Sequence, residues 1–288
     1  MGIRCGWCLG IALAVIMDAA PARAQDTQIS SSTVILPMRP QPGSTVQVIV
    51  NTQATVRFEQ RAYPSFALPG GMWRALLPLS ALLKAGDYPL QIEKDGIIAT
   101  RQLPVASRSF GLQRLRLSPD RAGLEATPTE EAAISTALST VSPEQLWRMP
   151  FARPVRGRIS SKYGLRRTYN GVFAKDYYHR GLDYAAPRGT AVVAPAAGRV
   201  ALVGTVQQGF KLHGNTLVLD HGQGVTSIYI HLQKILVRAG DVVKLGEKVA
   251  LVGSTGRASG PHLHWGLYVH RIAVDPADWL QGQICCKS

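Results

Sequence analysis

Cysteine is scarce: the chain has four, at positions 5, 8, 285 and 286. Cys5 and Cys8 fall within a first segment that reads as a cleaved leader, and the neighbouring Cys285 and Cys286 would bridge each other only in a strained geometry, so a disulfide-stapled scaffold is excluded. Cys285 and Cys286 are left to an inert tail or an intermolecular bridge. Long hydrophobic runs are missing too, since none reaches the roughly 18–20 residues that a membrane-spanning helix needs. Acid is in short supply, with 18 Asp+Glu against 32 Lys+Arg and a formal charge of +14. Charged residues are only 17% of the chain and hydrophobic ones 46%, which excludes wholesale disorder. The length of 288 residues points to two domains, each able to bury a core. The basic surplus suits nucleic acid, an anionic surface or another extended polyanion.

The first segment narrows those options. Met1-Gly2-Ile3-Arg4 is a short basic start, residues 5–17 are largely apolar, and Pro21 breaks the run ahead of Ala22-Arg23-Ala24. This is the layout of a secretory signal peptide over residues 1–24, with cleavage expected before Gln25 and an apolar stretch too short to span stably. No cysteine sits at the cleavage point, so lipid anchoring is not indicated. Loss of Arg4, Arg23 and Asp18 would leave 30 basic and 17 acidic residues, or +13. The expected product is exported, periplasmic or extracellular, with no integral membrane segment after cleavage and no nucleic-acid partner.

Residues 25–108 read as strands. Thr33-Val34-Ile35-Leu36, Val46-Gln47-Val48-Ile49-Val50, Val56-Arg57-Phe58, Met72-Trp73-Arg74-Ala75-Leu76 and Tyr88-Pro89-Leu90-Gln91-Ile92 are short β-branched or alternating runs separated by Gly-, Pro- and Asn-containing breaks. Their spacing predicts a small antiparallel sandwich. It has no His and no Cys, so it offers no metal or nucleophile chemistry. A helical linker follows at 109–150. Thr127-Pro128-Thr129-Glu130 combines an N-cap, Pro at the first helical position and Glu at the third, and Ser142-Pro143-Glu144-Gln145 repeats the arrangement. Arg153, Arg156, Arg158, Lys162, Arg166 and Arg167 then form a basic run without an acid, either a solvated surface or a substrate-facing patch.

All histidines lie at or after position 179. His179-Arg180-Gly181-Leu182-Asp183 sets an imidazole and a carboxylate four apart, and His262-Leu263-His264 sets two imidazoles two apart in a strand-like segment. Period-two geometry puts His262 and His264 on one face, and would do the same for His179 and Asp183 in an extended segment. A catalytic zinc takes three N or O protein ligands and keeps a fourth position open. His179, Asp183 and one of the two late histidines would supply that set.

Further motifs surround these residues: Ser160-Ser161-Lys162-Tyr163-Gly164-Leu165-Arg166, Ala194-Pro195-Ala196-Ala197-Gly198-Arg199-Val200, Gly214-Asn215-Thr216, Asp220-His221-Gly222, Tyr229-Ile230-His231-Leu232, Gly253-Ser254-Thr255-Gly256 and Gly260-Pro261-His262-Leu263-His264. With them, residues 151–279 closely resemble the lysostaphin-like family of zinc metalloendopeptidases, which cut peptidoglycan peptides. The resemblance implies one Zn2+ per chain held by His179, Asp183 and His264, with His231 and His262 as the catalytic pair. The residues expected to line a substrate groove are Tyr163, Arg166, Tyr169, Asn170, Tyr177 and Asn215. Many members follow His-Leu-His with an aromatic residue and then Glu, whereas here Trp265 is followed by Gly266. His213, His221 and His270 carry no expected role, with His213 the nearest to a substrate wall. The segment Gly240-Asp241-Val242-Val243-Lys244-Leu245-Gly246 is carrier-domain-like, but it lacks the flanking small or Met residues of a modified lysine.

The expected architecture is therefore mainly β: a signal peptide at 1–24, a small antiparallel β-sandwich at 25–108, a short helical linker at 109–150, an all-β zinc peptidase domain at 151–281 and a tail at 282–288. The expected function is hydrolysis of peptide bonds in peptidoglycan, whether diamino-acid cross-links, oligoglycine bridges or stem peptides. The alternative is a catalytically silent wall-binding or hydrolase-activating relative. Such relatives usually lack one or more ligands, and here all five positions are filled.

Overall fold

In a computed structural model that describes residues 33–284, the short runs of the first hundred residues pair into antiparallel strands. The expected signal peptide, Cys285 and Cys286 lie outside the described residues. The strands β1 (Val34–Leu36), β2 (Thr45–Val50), β3 (Thr55–Phe58), β4 (Arg61–Ala67), β5 (Trp73–Pro78), β6 (Gly86–Lys94) and β7 (Ile97–Val105) follow the spatial order β1-β2-β5-β4-β3-β6-β7. Strand β4 changes partner along its length. Its first half, from Arg61 to Pro64, pairs with β3, and Ser65, Phe66 and Ala67 pair with β5. The Ser65 hydroxyl donates to Ala54 O at 2.6 Å and accepts from Ala54 N at 2.8 Å, which secures the corner. Alternate residues of the strands, among them Val46, Val48, Val56, Leu77, Leu90 and Ile92, close a core of their own.

The larger core belongs to a ten-stranded sheet. It contains β9 (Arg158–Ser161), β12 (Leu182–Ala185), β13 (Ala191–Val193), β14 (Gly198–Gly204), β15 (Asn215–Gly222), β16 (Val225–Ile235), β17 (Val242–Val243), β18 (Lys248–Val252), β19 (His262–Val269) and β20 (Ile272–Val274). Its main path is β17-β14-β15-β16-β19-β12-β9, and the central strands are buried over most of their length. Trp147, Phe151 and Trp279 meet edge-on or tilted beside the core, with ring centroids 5.0–6.5 Å apart. With 44% strand against 10% helix among the described residues, the structure is mostly β, as the sequence predicts.

The connecting segment is more than a helical spacer. The first cap is built as expected: Glu130 N donates to Thr127 Oγ1 at 3.1 Å, Thr127 N donates to Glu130 Oε2 at 3.3 Å, and a helix runs over Pro128–Leu138. The second begins no helix. Ser142 Oγ is engaged by Asp220, and Ser142 O accepts Gln223 N at 2.6 Å. Leu146 N donates to His221 O at 2.9 Å, so the groups that would start a helix tie the chain to the β15–β16 turn instead. The segment also supplies a strand, β8 (Leu112–Leu115), which lies parallel to β10 (Arg166–Tyr169), itself paired with β11 (Val172–Phe173).

The N-terminal layers dock through buried polar anchors. The Arg74 guanidinium on β5 donates to Gln145 Oε1 and Gln223 Oε1 at 2.7 Å each and stacks on Trp147 at 4.7 Å. Trp279 Nε1 donates to Thr45 Oγ1 at 3.0 Å, and Asp275 N to Gly43 O at 2.8 Å.

His221 is one of several buried imidazoles, with His264 and His270, whose burial makes the fold acid-sensitive. His221 has no exposed surface; its Nδ1 donates to Ala197 O at 2.8 Å and its Nε2 meets Ser227 Oγ at 2.7 Å. Burial pushes its pKa down to about 4. The unfolded chain, with an imidazole near 6.5, therefore takes up the proton first as pH falls. Stability from this group is full above about pH 6.5 and declines down to about pH 4, by at most about 3 kcal/mol. Urea midpoints between pH 7.5 and 4.5 should fall, and His221→Gln should flatten that fall. An unchanged slope in the variant would assign the acid sensitivity elsewhere.

Candidate active site

Strand β19 presents His262 and His264 on one face, and β12 runs antiparallel beside it with Asp183 directly opposite His264. Cross-strand pairing thus brings the two groups together, with His264 Nδ1 2.7 Å from Asp183 Oδ1. The approach of β12 depends on Gly181, where a Cβ would stand 2.3 Å from the Trp265 carbonyl oxygen. His179 lies just before the strand, outside any regular element, and its Nε2 is 2.9 Å from both Asp183 Oδ1 and His264 Nδ1. The His179 Nδ1–H donates to Lys162 O at 2.8 Å, which leaves the lone pair on Nε2 facing the cluster.

The electrostatics favour a cation among these three atoms. Burial alone would raise the Asp183 carboxyl, but His179 and then His264 hold it well below the usual carboxylate range. Burial pushes the His264 imidazole down to about 4 despite Asp183, so it is neutral near pH 7. Arg167 Nη2 donates to Asp183 Oδ2 at 3.0 Å and leaves Oδ1 to the imidazoles. His179 Nε2, Asp183 Oδ1 and His264 Nδ1 thus converge within 2.7–2.9 Å of one another, a set of donor atoms that a divalent cation would satisfy together. His179, Asp183 and His264 are the group of side chains that could hold a metal ion among the described residues.

His231 reaches the same face by a backbone irregularity. On β16 its neighbour Ile230 pairs with His264, so regular alternation would turn His231 to the opposite side of the sheet. Instead the register with β15 slips between Asn215 and Leu217, and His231 takes φ +64. Both Ile230 and His231 consequently line one cavity. His231 N donates to His213 O at 2.9 Å, and Nδ1–H donates to Thr255 O at 2.8 Å. His262 Nδ1–H donates likewise to Gly260 O at 2.9 Å, and the two rings lie 4.9 Å apart. Both are thereby left with Nε2 as the acceptor nitrogen. Burial first, then His262 and His264, hold the His231 pKa well below its ordinary value.

The cavity measures about 800 Å³ and takes in all of these side chains except the fully buried His179, which reaches the cluster from behind. Of the expected groove residues, Tyr169 and Tyr177 line it. The other four do not line it and are engaged elsewhere. Tyr163 is buried in the core, where its hydroxyl donates to Ala273 O at 2.8 Å and burial pushes the phenol well above its usual pKa. Arg166 stacks on Phe173 at 5.2 Å. Asn170 closes a turn onto Leu117, accepting from its N at 2.8 Å and donating to its O at 3.0 Å. Asn215 accepts from Val206 N at 3.0 Å and donates to Leu232 O at 3.1 Å.

Several wall residues were not anticipated. Gln113, Leu115, Leu117, Ile134 and Leu138 bring the linker to the cavity rim, and His213 and Arg257 face it from the opposite loops. Among the described residues, none of 33–108 lines the cavity. The glycine that replaces the family's usual Glu sits tightly: a Cβ at Gly266 would lie 2.9 Å from Ile228 Cγ2 and 3.0 Å from Arg180 O.

Comparison with known proteins agrees with this geometry. Residues 177–276 match the profile of peptidase family M23. The peptidoglycan DD-endopeptidase ShyB of Vibrio cholerae is 42% identical over 128 residues, 44% of this chain and 29% of its own length. An uncharacterized metalloprotease of Haemophilus influenzae is 39% identical over 129 residues, 45% of this chain and 26% of its own. The chain thus spans between a quarter and a third of the curated relatives it matches. The crystal structure of an M23 peptidase candidate from Pseudomonas aeruginosa is 28% identical with a TM-score of 0.65, covering 84% of this chain and 95% of that one. That likeness extends over the N-terminal layers as well.

Proposed function

We propose that this chain, whose residues 177–276 form a peptidase family M23 domain, is an exported zinc endopeptidase that hydrolyses peptide bonds of peptidoglycan. The observation that carries the reading is the meeting of His179, Asp183 and His264 at 2.7–2.9 Å beneath two further imidazoles in one cavity. In this reading residues 25–108 are a docked module, 109–150 a linker and 151–281 the peptidase domain. Export agrees with the expected signal peptide, and no helix among the described residues is long and apolar enough to cross a membrane.

One zinc per chain would be held by His179, Asp183 and His264, and when bound it would activate a water and polarise the scissile carbonyl. The remaining work falls to His231 and His262. With both Nδ1 protons committed to backbone carbonyls, each Nε2 can accept a proton from the attacking water and return it to the leaving amine. A protonated ring can also donate to the oxygen that gains charge. The cavity wall favours an anionic substrate. Arg257 lies over Tyr169 at 4.8 Å, Tyr169 and Tyr177 are 6.5 Å apart, and Arg180 lies over Tyr177 at 5.7 Å. Among the described residues neither Arg180 nor Arg257 has a carboxylate partner within ion-pair distance. Carboxylate-bearing cross-link peptides suit this wall better than a neutral glycine bridge, in keeping with the DD-endopeptidase relatives.

The test is digestion of purified cross-linked muropeptide dimers, with products identified by mass. Cleavage at a cross-link bond is expected, with loss on chelation and return on adding zinc. Dimers with amidated diamino-acid carboxylates should be cut about tenfold more slowly, the loss of roughly one charge-assisted hydrogen bond. Intact dimers under every condition would favour the catalytically silent wall-binding reading.

A further inference from the structure

Glu130 is the linker's most deeply buried charge, with no exposed surface, and its helix cap uses only part of it. Its carboxylate reaches across to three consecutive backbone N–H groups: Lys211 N at 3.0 Å and Leu212 N at 3.1 Å on Oε2, and His213 N at 2.7 Å on Oε1. The His213 ring adds Nδ1 at 2.7 Å to Oε1. Burial alone would raise this carboxyl, but the bonds from His213 and Leu212 bring it down to about 2. An ionised carboxylate is costly to bury unless so many donors converge on it, and here they converge from one loop.

That loop carries the backbone anchor of His231. The His213 carbonyl accepts His231 N at 2.9 Å. The next residue, Gly214, has φ +69, and a Cβ there would stand 2.3 Å from Thr255 Oγ1. Thr255 in turn supplies the carbonyl that accepts His231 Nδ1–H at 2.8 Å and donates its own N to His231 O at 3.4 Å. The loop gripped by Glu130 therefore holds His231 N directly and packs against the residue that holds its ring. His231 needs such holding. A left-handed conformation is sterically costly for a non-glycine residue, and the relaxed extended conformation would return its ring to the far side of the sheet.

We propose that Glu130 is a positioning residue for His231, a linker carboxylate that fixes the loop on which the catalytic imidazole is aimed into the cavity. The proposal rests on the reading of His231 as a catalytic group. It makes the linker part of the active site, although Glu130 touches neither the metal ligands nor the substrate.

The experiment compares Glu130→Gln, Glu130→Asp, His231→Ala and the double variant Glu130→Gln/His231→Ala, using a soluble cross-linked muropeptide dimer as substrate and zinc content and circular dichroism as controls. Glu130→Gln turns at least one donor towards the backbone N–H groups. It should keep the fold and one zinc per chain, change KM by less than about threefold and lower kcat by about 10- to 100-fold. Glu130→Asp should recover part of that loss. In the double variant kcat should fall no further than in His231→Ala, because both changes remove one function. Parental kcat in folded Glu130→Gln, or losses that multiply in the double variant, would overturn the proposal. If Glu130→Gln does not fold, the double variant Glu130→Asp/His231→Ala carries the same test, and a kcat below that of His231→Ala there overturns the proposal. Parental kcat in His231→Ala would instead remove the catalytic reading of His231 itself.

Discussion

Replacing His264 with alanine is expected to abolish zinc binding and peptidoglycan cleavage together. His264 Nδ1 is one corner of a donor triangle with edges of 2.7–2.9 Å, and no other described side chain stands ready to replace it. His262, two residues away on the same face, has its Nε2 4.0 Å from Asp183 Oδ1, and its Nδ1 is committed to Gly260 O. Two remaining donors hold a divalent cation too weakly to survive dialysis. Cleavage should fall by at least about a thousandfold, the upper end for removing a single stabiliser of developing charge. The fold should persist, because the core side of β19 is made by Leu263, Trp265 and Leu267, all fully buried. Zinc stoichiometry by atomic absorption and solubilisation of purified peptidoglycan give the two readouts. A folded variant that still cleaves would sink the metal assignment, and one that keeps zinc but loses cleavage would move His264 from ligand to catalyst.

How much of this site was legible depends on whether its parts are joined by local geometry. His262 and His264 could be placed on one face from their spacing alone, because strand alternation is a local rule. His179 and Asp183 were legible as a pair, and Gly181 between them permits the close approach to β19. His231 could be named only through the family motif, since its side chain enters the cavity through a bulge that reverses the alternation of β16. The linker hides part of its role for a related reason. Its first capping box was readable, but a cap pattern does not reveal that the Glu130 carboxylate also grips a loop 81–83 residues away. Ser142 shows the converse, a cap pattern whose groups are claimed by Asp220 and Gln223 before any helix can start. Tyr163, Arg166, Asn170 and Asn215 have side-chain types that suit a substrate groove, yet each meets backbone or aromatic partners that only the tertiary structure supplies.

His231→Ala should keep its zinc while losing about 10²- to 10⁴-fold in kcat, the range for removing a positioned general acid–base. Its ring is not among the three donors that could hold a metal ion, so metal content separates this variant from His264→Ala. His262→Ala should behave alike in both readouts. Stability gives a further discrimination peculiar to His231. Alanine at φ +64 keeps the left-handed strain, whereas glycine relieves on the order of 1–2 kcal/mol and costs about 0.4–1 kcal/mol through the unfolded chain. His231→Gly should therefore be more stable than His231→Ala by about 0.5–1 kcal/mol, although both are inactive. At an ordinary strand position the order reverses, with glycine less stable than alanine by roughly 0.5–1 kcal/mol. Urea unfolding of the two zinc-loaded variants reads the sign directly. Glycine below alanine would show that His231 is not held in the left-handed conformation in solution, and the bulge would then lose its role in aiming the imidazole. Glycine above alanine would show that the fold holds a strained residue there, as expected where placing the side chain on the cavity side outweighs the backbone cost.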